Sequence, residues 1–155
     1  MIETYLFDWG DTLMRDFPGS KGKMCDWDVV EATEGAKDTL IYLSNKFEVY
    51  VATGAADSSV AEIEKAFERV GLNKYICGYF CQSNLGVSKD SAEFYPKILG
   101  KLNKSAATVA MVGDSLVKDI VPASKVGIKT IWLTSVLSGH PNNTKVIRNL
   151  RELCV

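Results

Sequence analysis

The chain has 155 residues, 46% of them hydrophobic and 24% charged, with a formal net charge of −1. That length suits one domain with a sizeable core rather than two, and the near-neutral balance lacks the basic excess of a general nucleic-acid binder. No apolar run approaches the roughly 20 residues that span a bilayer, and the opening residues carry Glu3 where an export signal would be basic and then apolar, so a cytoplasmic protein is expected.

The first apolar segment, residues 3–8, reads as a strand that ends in Asp8. Residues 14–33 are irregular, with Pro18, Gly19 and Gly22, and form a short flap. A helix over 35–46 places Ala36, Leu40 and Leu43 on one face. Residues 47–53 read as a second strand and 58–70 as a helix stopped by Gly71. A short third strand is expected over 76–82, then a helix over 91–102 with Pro96 near its first turn. The continuous apolar run 107–112 reads as a strand buried on both faces. A helix over 117–126 contains the awkward Pro122, residues 129–133 give a fifth strand, and 143–153 a final helix. Strands alternating with helices imply a parallel α/β sheet, in which ligands bind beyond the carboxyl ends of the strands. Asp8, Thr53 and Asp114 all fall at such ends.

The cysteines, Cys25, Cys77, Cys81 and Cys154, form no C-x-x-C clusters, and free thiols are expected. The single histidine, His140, reads as part of a surface loop with Ser138, Gly139, Pro141 and Asn142, and has no assigned role.

Four segments carry chemistry. In Asp8-Trp9-Gly10-Asp11-Thr12-Leu13, a carboxylate at a strand end precedes a tight turn whose N–H groups can hold phosphoryl oxygens. Such a carboxylate can act as a nucleophile. Thr53-Gly54 offers a hydroxyl and a backbone N–H. Lys89 stands ahead of a helix, where it can neutralise charge on a phosphoryl group. Gly113-Asp114 follows the buried strand, and Asp119 lies five residues on; paired carboxylates suit Mg²⁺. Taken singly, each has a plainer reading: a strand-end turn, a surface lysine, or a first-turn acid favoured by a helix dipole.

Together and in this order, the four segments resemble the sequence motifs of the haloacid dehalogenase superfamily of phosphatases, over most of the chain from Tyr5 to Leu133. The resemblance implies a Rossmann-like three-layer sandwich with a five-stranded parallel sheet in the order 5-4-1-2-3 and little or no cap, built on a single core domain over 1–155. It implies an aspartyl-phosphate on Asp8, with Mg²⁺ held by Asp8, the Gly10 carbonyl and Asp114; from its spacing, Asp119 is the further candidate, acting on the ion through water or by fixing its neighbours. Thr53 and Lys89, with backbone from Trp9, Gly10 and Gly54, would hold the phosphoryl group of a phosphorylated small molecule or macromolecule.

One position departs from the pattern. The family's first motif reads Asp-x-Asp-Gly-Thr, whereas this chain reads Asp8-Trp9-Gly10-Asp11-Thr12. The residue two after the nucleophile protonates the leaving group in the family, and Gly10 cannot. Asp11 becomes the candidate acid, and otherwise turnover should be slow and favour good leaving groups. The competing reading is a catalytically weak module that binds a phosphorylated ligand or partner; an oligomer is compatible with either. Trp9, Trp27 and Phe17 are candidates for the site's rim, with core packing or flap anchoring as the plainer alternative.

Overall fold

Short apolar strands, the central ones buried on both faces, build the sheet that the sequence pattern implies. In the computed structural model, which describes residues 1–136 and 139–155, the strands are β1 Thr4–Phe7, β2 Glu48–Ala52, β3 Gly78–Phe80, β4 Val109–Gly113, β5 Lys129–Leu133 and β6 Thr144–Ile147. All pair in parallel, in the order β3-β2-β1-β4-β5-β6. Phe7 is in register with Val51 on one side and Val112 on the other, so Asp8, Thr53 and Asp114 leave the sheet at nearly the same level.

The helices are α1 Ala36–Ser44, α2 Val60–Arg69, α3 Gln82–Leu85, α4 Phe94–Leu102 and α5 Val121–Lys125. β4 is buried along its whole length, and successive side chains go to opposite faces. Ala110 and Val112 join Phe7, Val49 and Val51 against α1 and α2. Val109 and Met111 join Leu6, Ala52 and Phe80 against α4 and α5. These two apolar layers, one on each side of the sheet, make the three-layer sandwich. Ser59 caps α2: its hydroxyl accepts the Glu62 N–H at 3.2 Å, and Glu62 accepts the Ser59 N–H at 2.9 Å.

Two elements depart from expectation. The sheet has a sixth strand, because the residues expected as a final helix over 143–153 divide into β6 and a short 3-10 turn, Leu150–Leu153. Asn143 adopts a left-handed φ of 65°, and β-branched Thr144, Val146 and Ile147 then run beside β5, where the Thr130 and Thr144 hydroxyls pair at 2.8 Å. The helix over 117–126 begins as a π turn, Leu116–Ile120, before α5. Pro122 has no N–H to give the Lys118 carbonyl four residues back, and the Tyr95 hydroxyl donates to that oxygen instead at 3.0 Å.

The chain between β1 and α1 leaves and returns as a paired excursion. Arg15 N–H donates to the Glu31 carbonyl at 2.8 Å, and Thr33 N–H to the Leu13 carbonyl at 2.9 Å. A 3-10 turn, Met24–Asp26, lies within it. Arg69 of α2 ties it down by donating to the carbonyls of Cys25, Trp27 and Asp28, and Lys23 pairs with Glu62 at 2.6 Å. The four cysteines are free thiols. His140 is exposed and contacts the Val136 carbonyl and the Trp132 ring; Ser138 of the same expected loop lies outside the described residues. Among the described residues, no helix is long and apolar enough to cross a membrane.

Candidate active site

The strand order reverses between β1 and β4, the place where an open parallel sheet leaves a crevice. Asp8 leaves β1 there and Asp114 leaves β4. A cavity of about 450 Å³ opens above them, lined among others by Asp8, Gly10, Asp11, Thr53, Gly54, Lys89, Asp114 and Asp119. The residues singled out from the sequence therefore converge on one cavity.

The turn after β1 is tight because the Trp9 carbonyl accepts N–H groups from Thr12, Leu13 and Met14, at 3.0–3.3 Å. That turn presents Asp8 on one side. The Trp9 ring packs on Phe67 with centroids 5.9 Å apart, and the residue also borders the cavity, so it serves both the core and the rim. Trp27 does line the cavity, its indole N–H donating to the Gly22 carbonyl at 3.0 Å. Phe17 lines a neighbouring depression beside Trp27.

Lys89 is the hub. Only 4% of its side chain is exposed, and its ammonium lies 2.9 Å from Asp8 Oδ1, 2.6 Å from Asp119 Oδ1 and 3.0 Å from the Ala52 carbonyl. The surface-lysine alternative is thereby excluded. Burial works to lower its pKa, and the neighbouring Asp8, Tyr95 and Asp119 outweigh burial, so the net shift is upward and the charge is held. Gly54 allows this approach: a Cβ there would sit 3.3 Å from the Lys89 Cβ.

Asp119 is no exposed first-turn acid. It is buried, its Oδ2 accepts the Ser115 N–H at 3.0 Å, and it folds back over Gly113. A Cβ at position 113 would lie 2.2 Å from that oxygen, so Asp114 must be preceded by glycine. Thr53 is buried and its hydroxyl accepts the Ala55 N–H at 3.1 Å, which leaves its own hydrogen for another acceptor.

Asp8, Asp114 and Asp119 each offer an oxygen within 4.8 Å of the others. Burial, a hydrogen bond to Asp8 and the charges of Asp8 and Asp119 push the Asp114 carboxyl up to about 7. Burial likewise raises Asp119, against the opposing pull of Lys89. Asp119 Oδ1 touches the Lys89 ammonium but off the hydrogen-bonding direction, so it is a buried oxygen without a directed donor. Three carboxylates facing one ammonium, one of them with such an oxygen, form a hard, oxygen-rich set that fits a divalent cation.

Thr12 was not given a role by sequence reasoning, although it lies inside the first motif. Its hydroxyl is buried, 3.3 Å from both Asp8 Oδ2 and Asp114 Oδ1, and its carbonyl accepts the Thr33 hydroxyl at 2.7 Å. Tyr95, beneath Lys89, was also passed over; as an aromatic on a helix face it carries only a core signal in the sequence. Asp11 stands at a left-handed φ of 59°, exposed at the cavity edge, and its Oδ1 accepts the Asp16 N–H at 3.1 Å.

A family profile described as haloacid dehalogenase-like hydrolase matches residues 20–127. Among curated relatives, the HAD-hydrolase YfnB of Bacillus subtilis (strain 168) is 25% identical over 126 residues, covering 77% of this chain and 52% of that protein. Glyceraldehyde 3-phosphate phosphatase of Pyrococcus furiosus is 31% identical over 98 residues, covering 63% of this chain and 40% of its own length. The chain thus spans about half the length of these relatives or less. A solved structure of an uncharacterised protein from Listeria monocytogenes serotype 4b superposes with a TM-score of 0.84 at 18% identity, covering 97% of this chain and 94% of that one. YfnB bound to magnesium superposes with a TM-score of 0.78 at 17% identity, covering 98% and 96%. At such identities these structures speak for the fold, while the profile match spans most of the chain. The chain belongs to the haloacid dehalogenase-like hydrolases.

Proposed function

We propose that the chain is a Mg²⁺-dependent phosphatase or phosphotransferase that works through an aspartyl-phosphate on Asp8. The observation that carries this reading is the Lys89 ammonium 2.9 Å from Asp8, with Asp114 and Asp119 gathered beside it at the floor of an open cavity. Asp8, Asp114, Asp119 and the Gly10 carbonyl would hold the ion; YfnB, of the same fold, is a magnesium-bound protein. When bound, it supplies positive charge that offsets repulsion between the carboxylates and the phosphoryl oxygens.

The chain's own groups do the rest. Lys89, fixed by Asp119 and the Ala52 carbonyl, orients Asp8 and neutralises incoming negative charge. Asp8 attacks phosphorus, and the bond to the leaving oxygen breaks. The Thr53 hydroxyl, its lone pair already engaged by Ala55 N–H, donates to a phosphoryl oxygen, with the Gly54 N–H beside it. Water or another acceptor then takes the phosphoryl group from Asp8, which returns to a free carboxylate. The cavity volume lies in the range of small-ligand sites, and the phosphatase relative bears the name of a small phosphorylated sugar. A small phosphoester is the substrate class we favour.

The test is phosphate release from a panel of small phosphoesters with and without Mg²⁺, together with beryllofluoride binding. Release that requires Mg²⁺ and disappears in Asp8→Asn supports the reading. Release by Asp8→Asn at the wild-type rate overturns it. Tight Mg²⁺-dependent beryllofluoride binding with no release from any ester would instead favour the binding module suggested by Gly10.

A further inference from the structure

Cleaving an ester of a poor leaving group needs a proton delivered to the departing oxygen, and the position two after Asp8 is a glycine. Six carboxylates line the cavity: Asp8, Asp11, Asp16, Asp57, Asp114 and Asp119. Five are already engaged. Asp8 and Asp119 hold Lys89, and Asp114 lies against Thr12. Asp11 Oδ1 accepts the Asp16 N–H, and Asp57 Oδ1 accepts the Ser58 hydroxyl at 3.1 Å. Among the described residues, Asp16 alone of the six has a carboxylate with no hydrogen-bond or ion-pair partner.

Its placement is specific. A Cβ built on Gly10 would lie 3.4 Å from the Asp16 Cβ and 3.6 Å from its Oδ2. The Asp16 side chain therefore covers the face of the Asp8 turn that a side chain at position 10 would occupy. It is held there by the loop closure in which Asp11 accepts the Asp16 N–H, and by the pairing of Arg15 with Glu31 one residue earlier. The positions 10 and 16 are direct neighbours, since a Cβ at 10 would stand in van der Waals contact with the Asp16 carboxylate.

Resting on the reading of Asp8 as nucleophile, we propose that Asp16 is the general acid and base of the reaction. As Asp8 attacks phosphorus and the phosphorus–oxygen bond of the ester breaks, the electron pair stays on the leaving oxygen. The Asp16 carboxyl gives that oxygen its proton, releasing an alcohol. The Asp16 carboxylate then takes a proton from water as the water oxygen attacks the phosphorus of the aspartyl-phosphate. The bond to Asp8 breaks, inorganic phosphate leaves, and Asp16 is again protonated. Its exposure on the rim gives water access for this second half. With Asp16 in this role, the leaving-group restriction expected from Gly10 is absent from the intact chain.

The test compares an alkyl ester, β-glycerophosphate, with an aryl ester, para-nitrophenyl phosphate, in the full chain with Mg²⁺. Asp16→Asn should lower alkyl turnover by ~10²–10⁴-fold, lower aryl turnover much less, and leave beryllofluoride affinity unchanged. Asp11→Asn, which keeps the acceptor for the Asp16 N–H, should leave the alkyl-to-aryl ratio at its wild-type value. Combining Gly10→Asp with Asp16→Ala should restore alkyl turnover over Asp16→Ala alone, because the carboxylate returns to the same face from the other side. Equal effects of Asp16→Asn on both esters, or a selective alkyl loss in Asp11→Asn instead, overturn the proposal. If Asp16→Asn loses beryllofluoride binding, the relocation pair decides: no recovery in it also overturns the proposal. Release that Asp8→Asn abolishes and Asp16→Asn leaves intact on both esters sinks only this inference; release that Asp8→Asn retains sinks the parent reading.

Discussion

The two ends of the central strands carry the same arrangement, one lysine between two carboxylates, in opposite surroundings. At the amino ends, Lys104 lies 2.9 Å from Glu3 and 3.3 Å from Glu48, in contact with solvent. At the carboxyl ends, Lys89 lies 2.9 Å from Asp8 and 2.6 Å from Asp119, with 4% of its side chain exposed. Water and salt screen the first cluster, and its chains are free to choose other rotamers. The second has been taken out of water and has a third acid, Asp114, beside it. Burial of that kind is weak evidence for stability. A site that keeps three carboxylates together below a cavity is arranged for what it will bind.

The comparison breaks hardest at Lys89. Lys89→Met should leave half-buried Asp8 and buried Asp119 without their counter-charge and destabilise the metal-free protein by ~3–5 kcal/mol, read as a lower urea midpoint. Phosphate release should fall with it. An unchanged midpoint would mean that the carboxylates re-pair or hydrate locally, and that the cluster is far wetter than its burial shows.

A second effect concerns pH. In the folded, metal-free protein the Asp114 carboxyl is raised from 3.8 to about 7, and Asp119 moves the same way. Between those values the folded state keeps a proton that the unfolded chain has released. Stability should therefore fall as pH rises through that window and level off above it. Asp114→Asn should flatten the slope and raise the metal-free Tm near neutral pH while weakening the response to Mg²⁺. For the wild type, Mg²⁺ at 100 times its dissociation constant should add about 2.7 kcal/mol. A Tm that ignores both pH and Mg²⁺ would show that the acids do not sense one another.

Sequence reasoning reached the buried cluster more fully than its surroundings, for physical reasons. Asp8, Thr53 and Asp114 were legible because strand ends can be read from apolar runs, and a parallel sheet gathers those ends at one edge. Lys89 was legible only through its place in the set, since its burial comes from Asp8, Asp119 and Ala52, all remote in sequence. Thr12 was hidden inside a quoted motif, and its contact with Asp114 spans 102 positions. Asp16 was hidden more deeply, because its relation to Gly10 depends on how the intervening loop closes. The segment of β6 was read as part of a final helix over 143–153. The neighbouring edge of β5 supplied the partner that turned Thr144–Ile147 into a strand.

Tyr95 joins the cluster to the irregular helix behind it. Its hydroxyl satisfies the Lys118 carbonyl that Pro122 cannot, and its ring is almost wholly buried beside Lys89. Tyr95→Phe should cost about 1 kcal/mol, the net value of one such bond, and should leave the Mg²⁺ response in place. A larger loss, with a weakened response, would show that the π turn positions Asp119 through this bond.

The smallest effect is expected at the other lysine, and it is the control on which the comparison depends. Lys104 draws Glu3 below the ordinary carboxylate range through a hydrogen bond and its charge, yet both groups are open to solvent. Lys104→Met removes the same formal charge as Lys89→Met and breaks the same number of ion pairs. Its urea midpoint at physiological salt should match the wild type, and any difference seen at low salt should vanish as salt is raised. The Lys89→Met deficit should persist at high salt, because ions do not reach a buried pair. If the two variants respond to salt alike, burial does not distinguish the two ends of the sheet, and the floor of the cavity is solvated to the depth of Asp119.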